Sequence, residues 1–399
     1  MTRRDRSRSH ARPTAEARRI REAARRDEEL RSRGMDPDAY ESAGLETGQV
    51  ALVRRRRRPP LKVILLLAVL LLLTITVVGG ILLWQRVVAF NDSVSTKAAA
   101  SWDLMAELDG AERVNVVLYG YGGAEHRGGN YLADSIQILS IDPAAGTTTM
   151  IPIPRDFWVE GLPQMPNNGK INEAFAIGYA SGGIEEASRF TSEVLSGVTG
   201  LEIRHWMAID FAGFEAMVNA VGGVTIDNPR AFRFTWSDAK FQAGNFDGGR
   251  FLEGRIDLNG GRALTYARAR YTSVPEESSD FARSVRQQRV LAALRGKLGD
   301  GGAGSIGPAL AMMDALNGRM LTNLSAVDLY LLSSHLSPDR RIELKEGVVL
   351  EATSNTLGQY ILVVIGRAGS SDYAPLHRYL EAELARPIPS PPPSPSATP

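Results

Sequence analysis

Two stretches of this 399-residue chain concentrate guanidinium groups. Thr265–Tyr271 (TYARARY) and Ser279–Gln288 (SDFARSVRQQ) bring Arg268, Arg270, Arg283, Arg286, Gln287 and Arg289 within about twenty residues of one another. On a helix Arg283 and Gln287 stand four apart and Arg286 three from Arg283, so the spacing predicts a shared face. Guanidinium stays ionised and offers planar paired donors, which suits a multiply charged phosphate such as a pyrophosphate better than a sugar hydroxyl. A solvent-facing basic helix is the bland alternative.

Other candidates are more isolated. Ile151–Val159 (IPIPRDFWV) presents Arg155 and Asp156 where an apolar strand ends, a place where α/β sheets put ligand contacts, although a solvated loop pair reads the same way. A cleaved pyrophosphate calls for a compensating cation, and Mg²⁺ takes a few carboxylates plus phosphate oxygens and water. Asp134, at the start of a strand-like run, is the best placed carboxylate for it. The glycine-rich Tyr119–Gly129 (YGYGGAEHRGG) could let backbone amides approach a phosphate without matching a nucleotide fingerprint, and its His126 could carry a proton or contact substrate. Asn115, Asp210, Asn219 and Asp227 read as capping or turn residues.

Positioning these groups requires a sheet covered by helices. Val114–Tyr119, Ser135–Ile141 and Thr147–Ile153 read as strands, the last two joined by turn chemistry at Asp142–Gly146. Ile184–Leu195, Phe211–Val221, Arg262–Arg270 and Phe281–Leu298 read as helices, with a β-like Val224–Ile226 among them. Further on come helical patterns at Ile306–Leu316 and Ala326–Leu336, the second opened by a capping-box-like Ser325 and Asp328. Two β-like runs, Ile342–Leu350 and Tyr360–Ile365, precede a terminal helix near Asp372–Leu384. The alternation predicts an α/β domain with a central mixed sheet.

The ends of the chain differ from its middle. Residues 1–60 hold seventeen Arg against ten Asp or Glu, a net of +7, and since the whole chain is +1 the remainder is −6. That basic tail has too few apolar residues for a core, and its interspersed carboxylates argue against nucleic acid as a partner. Val63–Trp84 carries no charge over 22 positions, enough to span a hydrocarbon core of roughly 30 Å. Arg54–Arg58 abut it, so the positive-inside rule puts the tail in the cytoplasm and residues from about 87 onward outside. No cysteine is present, which excludes thiolate catalysis and disulfides. The predicted organisation is a disordered tail (1–60), a single membrane span (61–86), a stem (87–112), a catalytic domain (113–298), a C-terminal extension (299–385) and a Pro/Ser tail (386–399).

Taken in order, NVVLYGYGG, LADSIQILSIDP, IPIPRDFWV, GKINEAFAIG, DFAGFEAMVNAVGGVTID, LNGGRALTYARAR and SDFARSVRQQ resemble the LytR-CpsA-Psr family, the cell envelope-related transcriptional attenuators, over roughly residues 112–298. The resemblance implies a cell-membrane enzyme that transfers a glycopolymer from a polyprenyl-pyrophosphate carrier to a peptidoglycan acceptor, assisted by Mg²⁺. It implies that Arg155, Arg268, Arg270 and Arg283 hold and neutralise the pyrophosphate, with Gln287 beside them and Asp134 near the metal. Lys170 falls in the family's Lys-Ile-Asn motif, and Asp156, Arg286 and His126 complete the expected substrate contacts. Gly122 and Leu132 stand where many members have an Asp and an Arg, and His126 is the candidate to replace part of that site. The resemblance also implies a greasy tunnel for the lipid, for which Phe175, Phe211, Phe214, Met217, Val218 and Val221 are the candidates. Hydrolysis of the pyrophosphate link and a non-catalytic lipid-pyrophosphate-binding or regulatory role stay open beside transfer.

Overall fold

The computed structural model describes residues 15–36, 60–96, 104–110, 112–124, 131–165, 167–234, 249–270, 272–299 and 303–388. They fall into two units, residues 1–82 and 83–399. The first holds α1 (Ala15–Ser32) and most of α2 (Leu61–Val94). α1 lies in the tail expected to lack structure. It buries no residue, and among the described residues local backbone bonds and side-chain pairs such as Arg33–Glu29 support it. Every residue of α2 from Leu61 to Arg86 is exposed, and it is the one helix among the described residues long and apolar enough to cross a membrane. A bare apolar helix is stable in lipid, where its backbone is satisfied internally.

The second unit begins with the end of α2, which runs eight residues beyond the expected span. There Phe90 and Val94 pack on Leu316 and Met320. After α3 (Leu104–Leu108) come the antiparallel strands β1 (Val114–Tyr121), β2 (Ala133–Asp142) and β3 (Thr147–Pro152). A ribbon of β4 (Trp158–Val159) and β5 (Gly169–Lys170) leads into α4 (Ile171–Thr199). Next are β6 (His205–Asp210), which pairs parallel with β1, and α5 (Phe211–Ala220). β7 (Val224–Asn228), β8 (Phe232–Arg233), β9 (Arg250–Phe251) and β10 (Gly254–Leu258) form two small ribbons ahead of α6 (Gly260–Arg268), α7 (Asp280–Leu298) and α8 (Ala303–Leu316). The chain ends with β11 (Met320–Thr322), α9 (Ala326–Ser333), β12 (Arg340–Arg341), the hairpin β13 (Leu350–Ser354) and β14 (Tyr360–Val364), and α10 (Ala374–Ala385).

The central sheet has six strands in the order β11-β6-β1-β2-β3-β12, mixed in direction. Alternation along the strands sends Val117, Tyr119, Ile136 and Ile138 to one face, against Phe175 and Val194 of α4 and Leu376 of α10. Val116, Leu118 and Leu139 go to the other face, toward Leu324 and Leu332. Both faces are therefore covered, as the alternation of elements predicts.

Two expectations need correction, and a third holds within a longer helix. Residues 299–385 are no appendage, because β11 and β12 form the two edges of the central sheet. Ile342–Leu350 is not a strand. Only Arg340–Arg341 pair with β3, after which a turn forms at Gly347 (φ 78°), whose amide donates to the Leu350 carbonyl at 2.8 Å. The expected helix Ile184–Leu195 is the second arm of α4, which bends at Gly182 and Gly183; Gly183 has φ 73° and ψ −158°, a region open essentially to glycine.

Candidate functional site

The C-terminal ends of β1 and β3 and the start of β2 meet at one end of the sheet, as their antiparallel pairing requires. Asp134 opens β2, Arg155 and Asp156 follow β3, and Lys170 immediately precedes α4, where its amide donates to Glu173 Oε2 at 3.0 Å. Arg268 closes α6, and Arg270 lies just beyond it. α7, N-capped by Ser279, brings Asp280 and Arg283 to the same place.

The side chains form an alternating network. Arg155 Nη1 donates to Asp134 Oδ1 at 2.8 Å, and Arg268 Nη2 stands 3.6 Å from Asp134 Oδ2. Asp156 takes Lys170 Nζ at 2.6 Å, with Arg270 at 3.6 Å and Arg155 at 3.7 Å. Asp280 pairs with Arg283 at 2.9 Å and with Arg270 at 3.8 Å. Among the described residues five cations thus meet three carboxylates, a balance of +2.

Burial makes that excess consequential. Arg283 is 5% exposed, and its Nε has no hydrogen-bond partner among the described residues. Burial pushes its pKa down, with Asp280 opposing and Arg155 and Arg270 adding to the shift. Burial alone would raise the Asp134 carboxyl, but Arg155, Arg268 and Arg283 outweigh it and hold it below the usual carboxylate range. Asp134 is therefore an anion at neutral pH. A buried positive excess with an unanswered N–H is suited to an anion of charge −2 or more.

Not every candidate joins this group. Arg286 is fully buried and turned away: its Nε donates to the Tyr266 carbonyl at 2.9 Å, its Nη1 to Glu277 Oε2 at 2.6 Å, and its Nη2 to the Ala269 carbonyl. It ties α7 to the segment after α6, a structural role in place of the expected substrate contact. Gln287 lies toward the sheet instead, its Oε1 accepting from Ser135 Oγ at 2.9 Å and Gln137 Nε2 at 2.8 Å. His126 lies outside the described residues. Asp210 N-caps α5 by accepting from the Gly213 amide, and Asn219 accepts from the Gly260 amide, as their structural reading predicts. Among the described residues no three His, Asp, Glu or Cys gather as a metal cluster.

Beside the cluster lies an apolar cavity of about 500 Å³ between the second sheet face and α5 to α9. Arg268, Gln287, Ser135 and Gln137 form its polar end; Leu118, Met207, Phe214, Met217, Met313 and Leu329 are among its apolar walls. Of the expected tunnel residues Phe211, Phe214 and Met217 line it. Phe175 packs on the opposite sheet face, and Val218 and Val221 belong to a separate core with β7 and α6. Arg268 joins the two regions, its guanidinium carbon 4.0 Å from the Phe211 ring centre while its Nη2 faces Asp134.

Asp280 was not anticipated, although its i, i+3 relation to Arg283 in SDFAR was the available signal. The contributions of α8 and α9 to the cavity could not be read locally, because hydrophobic spacing does not tell which face meets which cavity.

Residues 85–364 match the LytR_cpsA_psr family. A polyisoprenyl-teichoic acid–peptidoglycan teichoic acid transferase, TagU of Enterococcus faecalis, is 27% identical over 255 residues, 63% of this chain and 76% of TagU. TagV of Bacillus subtilis, given the same transferase description, is 33% identical over 163 residues, 41% of this chain and 38% of TagV. The crystal structure of B. subtilis TagV superposes with a TM-score of 0.51 at 23% identity, covering 69% of this chain and 98% of that one, a likeness of fold.

Proposed function

We propose, from the premise that this chain belongs to the LytR_cpsA_psr family, that it is a membrane-anchored phosphotransferase moving a glycopolymer from a polyprenyl-pyrophosphate carrier to peptidoglycan. One observation carries the reading: a cluster of charge +2 adjoins the polar end of an apolar cavity of about 500 Å³. A pyrophosphate with a greasy tail matches both parts at once, whereas a free sugar phosphate would leave the cavity unused.

In this reaction an acceptor hydroxyl oxygen attacks the phosphorus that carries the glycopolymer. The bond from that phosphorus to the bridging oxygen breaks, polyprenyl phosphate departs, and a phosphodiester joins polymer to wall. The hydroxyl proton leaves with the departing phosphate, whose second pKa lies near neutrality. Arg155, Arg268, Arg270 and Arg283 supply charge where negative charge grows on the leaving oxygens, at no cost of reorganisation because their ion pairs already fix them. Lys170 and Asp156 steady Arg155 and Arg270, and Gln287 marks the boundary between headgroup and lipid. Water as acceptor would make the protein a pyrophosphatase.

Mg²⁺ fits this site in one way. Asp134, whose oxygens face Arg155 and Arg268, would have to share one with the ion, and phosphate oxygens and water would complete the shell. When bound, the ion would neutralise further charge on the pyrophosphate. Gly122 supplies no ligand. The exposed apolar span of α2 supports membrane anchoring, and Arg54–Arg58 support a cytoplasmic N-terminus with the second unit outside.

The test uses the full chain in vesicles with a polyprenyl-pyrophosphate donor labelled in its saccharide, plus peptidoglycan. Label joined to glycan strands and released by phosphodiester cleavage is the expected product. Free phosphorylated saccharide would establish hydrolysis, and donor bound but unchanged would establish a carrier or regulatory role.

A further inference from the structure

α8 carries one charged residue, Asp314, among its 14, yet it is not a core helix. Ala309, Met312, Met313 and Leu316 line the cavity, Ile306 and Leu310 do not, and none of residues 306–315 is buried. A helix this apolar is stable inside a large core or against lipid. Ile306 is 51% exposed, and on the neighbouring α9 Val327 and Tyr330 are 54% and 56% exposed.

The position of α8 says what covers it. Asp314 lies 3.4 Å from Arg86, and Leu316 packs on Phe90, both in the last turns of α2. Arg86 is two residues past Trp84, where the uncharged run ends, and at about 1.5 Å of rise per residue that is a few ångströms from the hydrocarbon boundary. Trp84 is exposed, as a tryptophan at a headgroup boundary is. α9 joins the same group, with Ala326 and Leu329 against Phe90, Val94 and Met320.

We infer that α8 and the outer face of α9 form a second membrane contact, seated in the headgroup and upper acyl region of the bilayer that α2 crosses. The occupant of this apolar face is lipid and not another copy of the chain. Tyr330 provides a ring with a polar tip at headgroup depth, and Ile306 and Val327 provide the shallow apolar insertion of an interfacial helix. The contact goes beyond the transferase reading and does not depend on it, although it would set one wall of the cavity directly against acyl chains.

The absence of native cysteine permits a clean test. Ile306→Cys, Leu310→Cys and Val327→Cys are each introduced into the full chain, labelled with a polarity-sensitive fluorophore and reconstituted in phosphatidylglycerol/phosphatidylcholine vesicles. Leu357→Cys, on the exposed turn between β13 and β14, is the reference. Labels on α8 and α9 should be quenched at least about threefold more by shallow doxyl-phosphatidylcholine than the reference and correspondingly less by aqueous iodide, as shallow insertion of an apolar face requires. Three positions keep the test alive if one variant fails to melt cooperatively. Quenching indistinguishable from Leu357→Cys would overturn the proposal, and so would protection from both quenchers, which would mean that protein covers the face. Neither readout needs substrate, so failure of the transferase assay and failure of this contact are separate results.

Discussion

Arg270 reaches Asp156 at 3.6 Å and Asp280 at 3.8 Å, looser pairs than the 2.6–2.9 Å contacts of Lys170, Arg155 and Arg283. Arg270→Ala should leave the melting temperature nearly unchanged and weaken polyprenyl-pyrophosphate binding about ten- to a hundredfold, the loss of one charge-assisted contact, as calorimetry would show. Arg283→Ala should behave differently. It strips Asp280 of its 2.9 Å partner in a buried setting and should cost about 1–3 kcal/mol of stability even without ligand. Repulsion among bare arginines would have predicted the opposite, and the interleaved carboxylates are the reason it does not apply. Asp134 adds a pH signature. Its native pKa lies below the unfolded value, so its contribution to stability is complete above about pH 4 and is lost as pH falls through the depressed native value. Asp134→Asn should therefore be less stable than the parent at neutral pH, with the gap closing at acid pH in urea titrations. The basic residues were legible in TYARARY and SDFAR, but their counter-charges were not. Arg286 was misassigned because three residues along a helix lag by about 60° and four lead by about 40°, so Arg286 and Gln287 diverge although each is near Arg283.

Among the elements, those with strong local signals were readable and those defined by partners were not. β1 to β3 carry long apolar β-branched runs, and α9 carries its cap: Ser325 Oγ accepts from the Asp328 amide and Asp328 Oδ2 accepts from the Ser325 amide. β6 (HWMAID) was missed because a short central strand is recognisable chiefly by the β1 neighbour it pairs with. The two arms of α4 meet where Gly178 faces Ala187, and a Cβ there would stand 2.7 Å from Ala187 Cα and 2.8 Å from the Glu186 carbonyl oxygen. These are backbone atoms, so Gly178→Ala must spread the arms. It should lower stability by about 1–3 kcal/mol, seen as a reduced melting temperature, and shift the start of α4 beside Lys170.

For the whole molecule, topology gives the first expectation. Protease added to spheroplasts should remove the second unit and spare the basic tail, and protection of that unit with loss of the tail would reverse the orientation. Domain extent gives another. Sequence reading placed the end of the catalytic domain at Leu298 because the glycine-rich break there looks like a boundary, yet non-local strand pairing crosses it. A chain ending at Leu298 should lack a cooperative thermal transition and be cut rapidly by protease, since β1–β3 and β6 would keep two open edges. The order in which these edges arrive bears on biogenesis. β11 and β12 lie at residues 320–322 and 340–341, so the sheet cannot seal itself until synthesis has passed residue 341. A nascent chain paused earlier offers unpaired strand edges to whatever it meets. The segment that carries β11 and β12 thus acts as a latch that withholds the folded state until both sheet edges are in place.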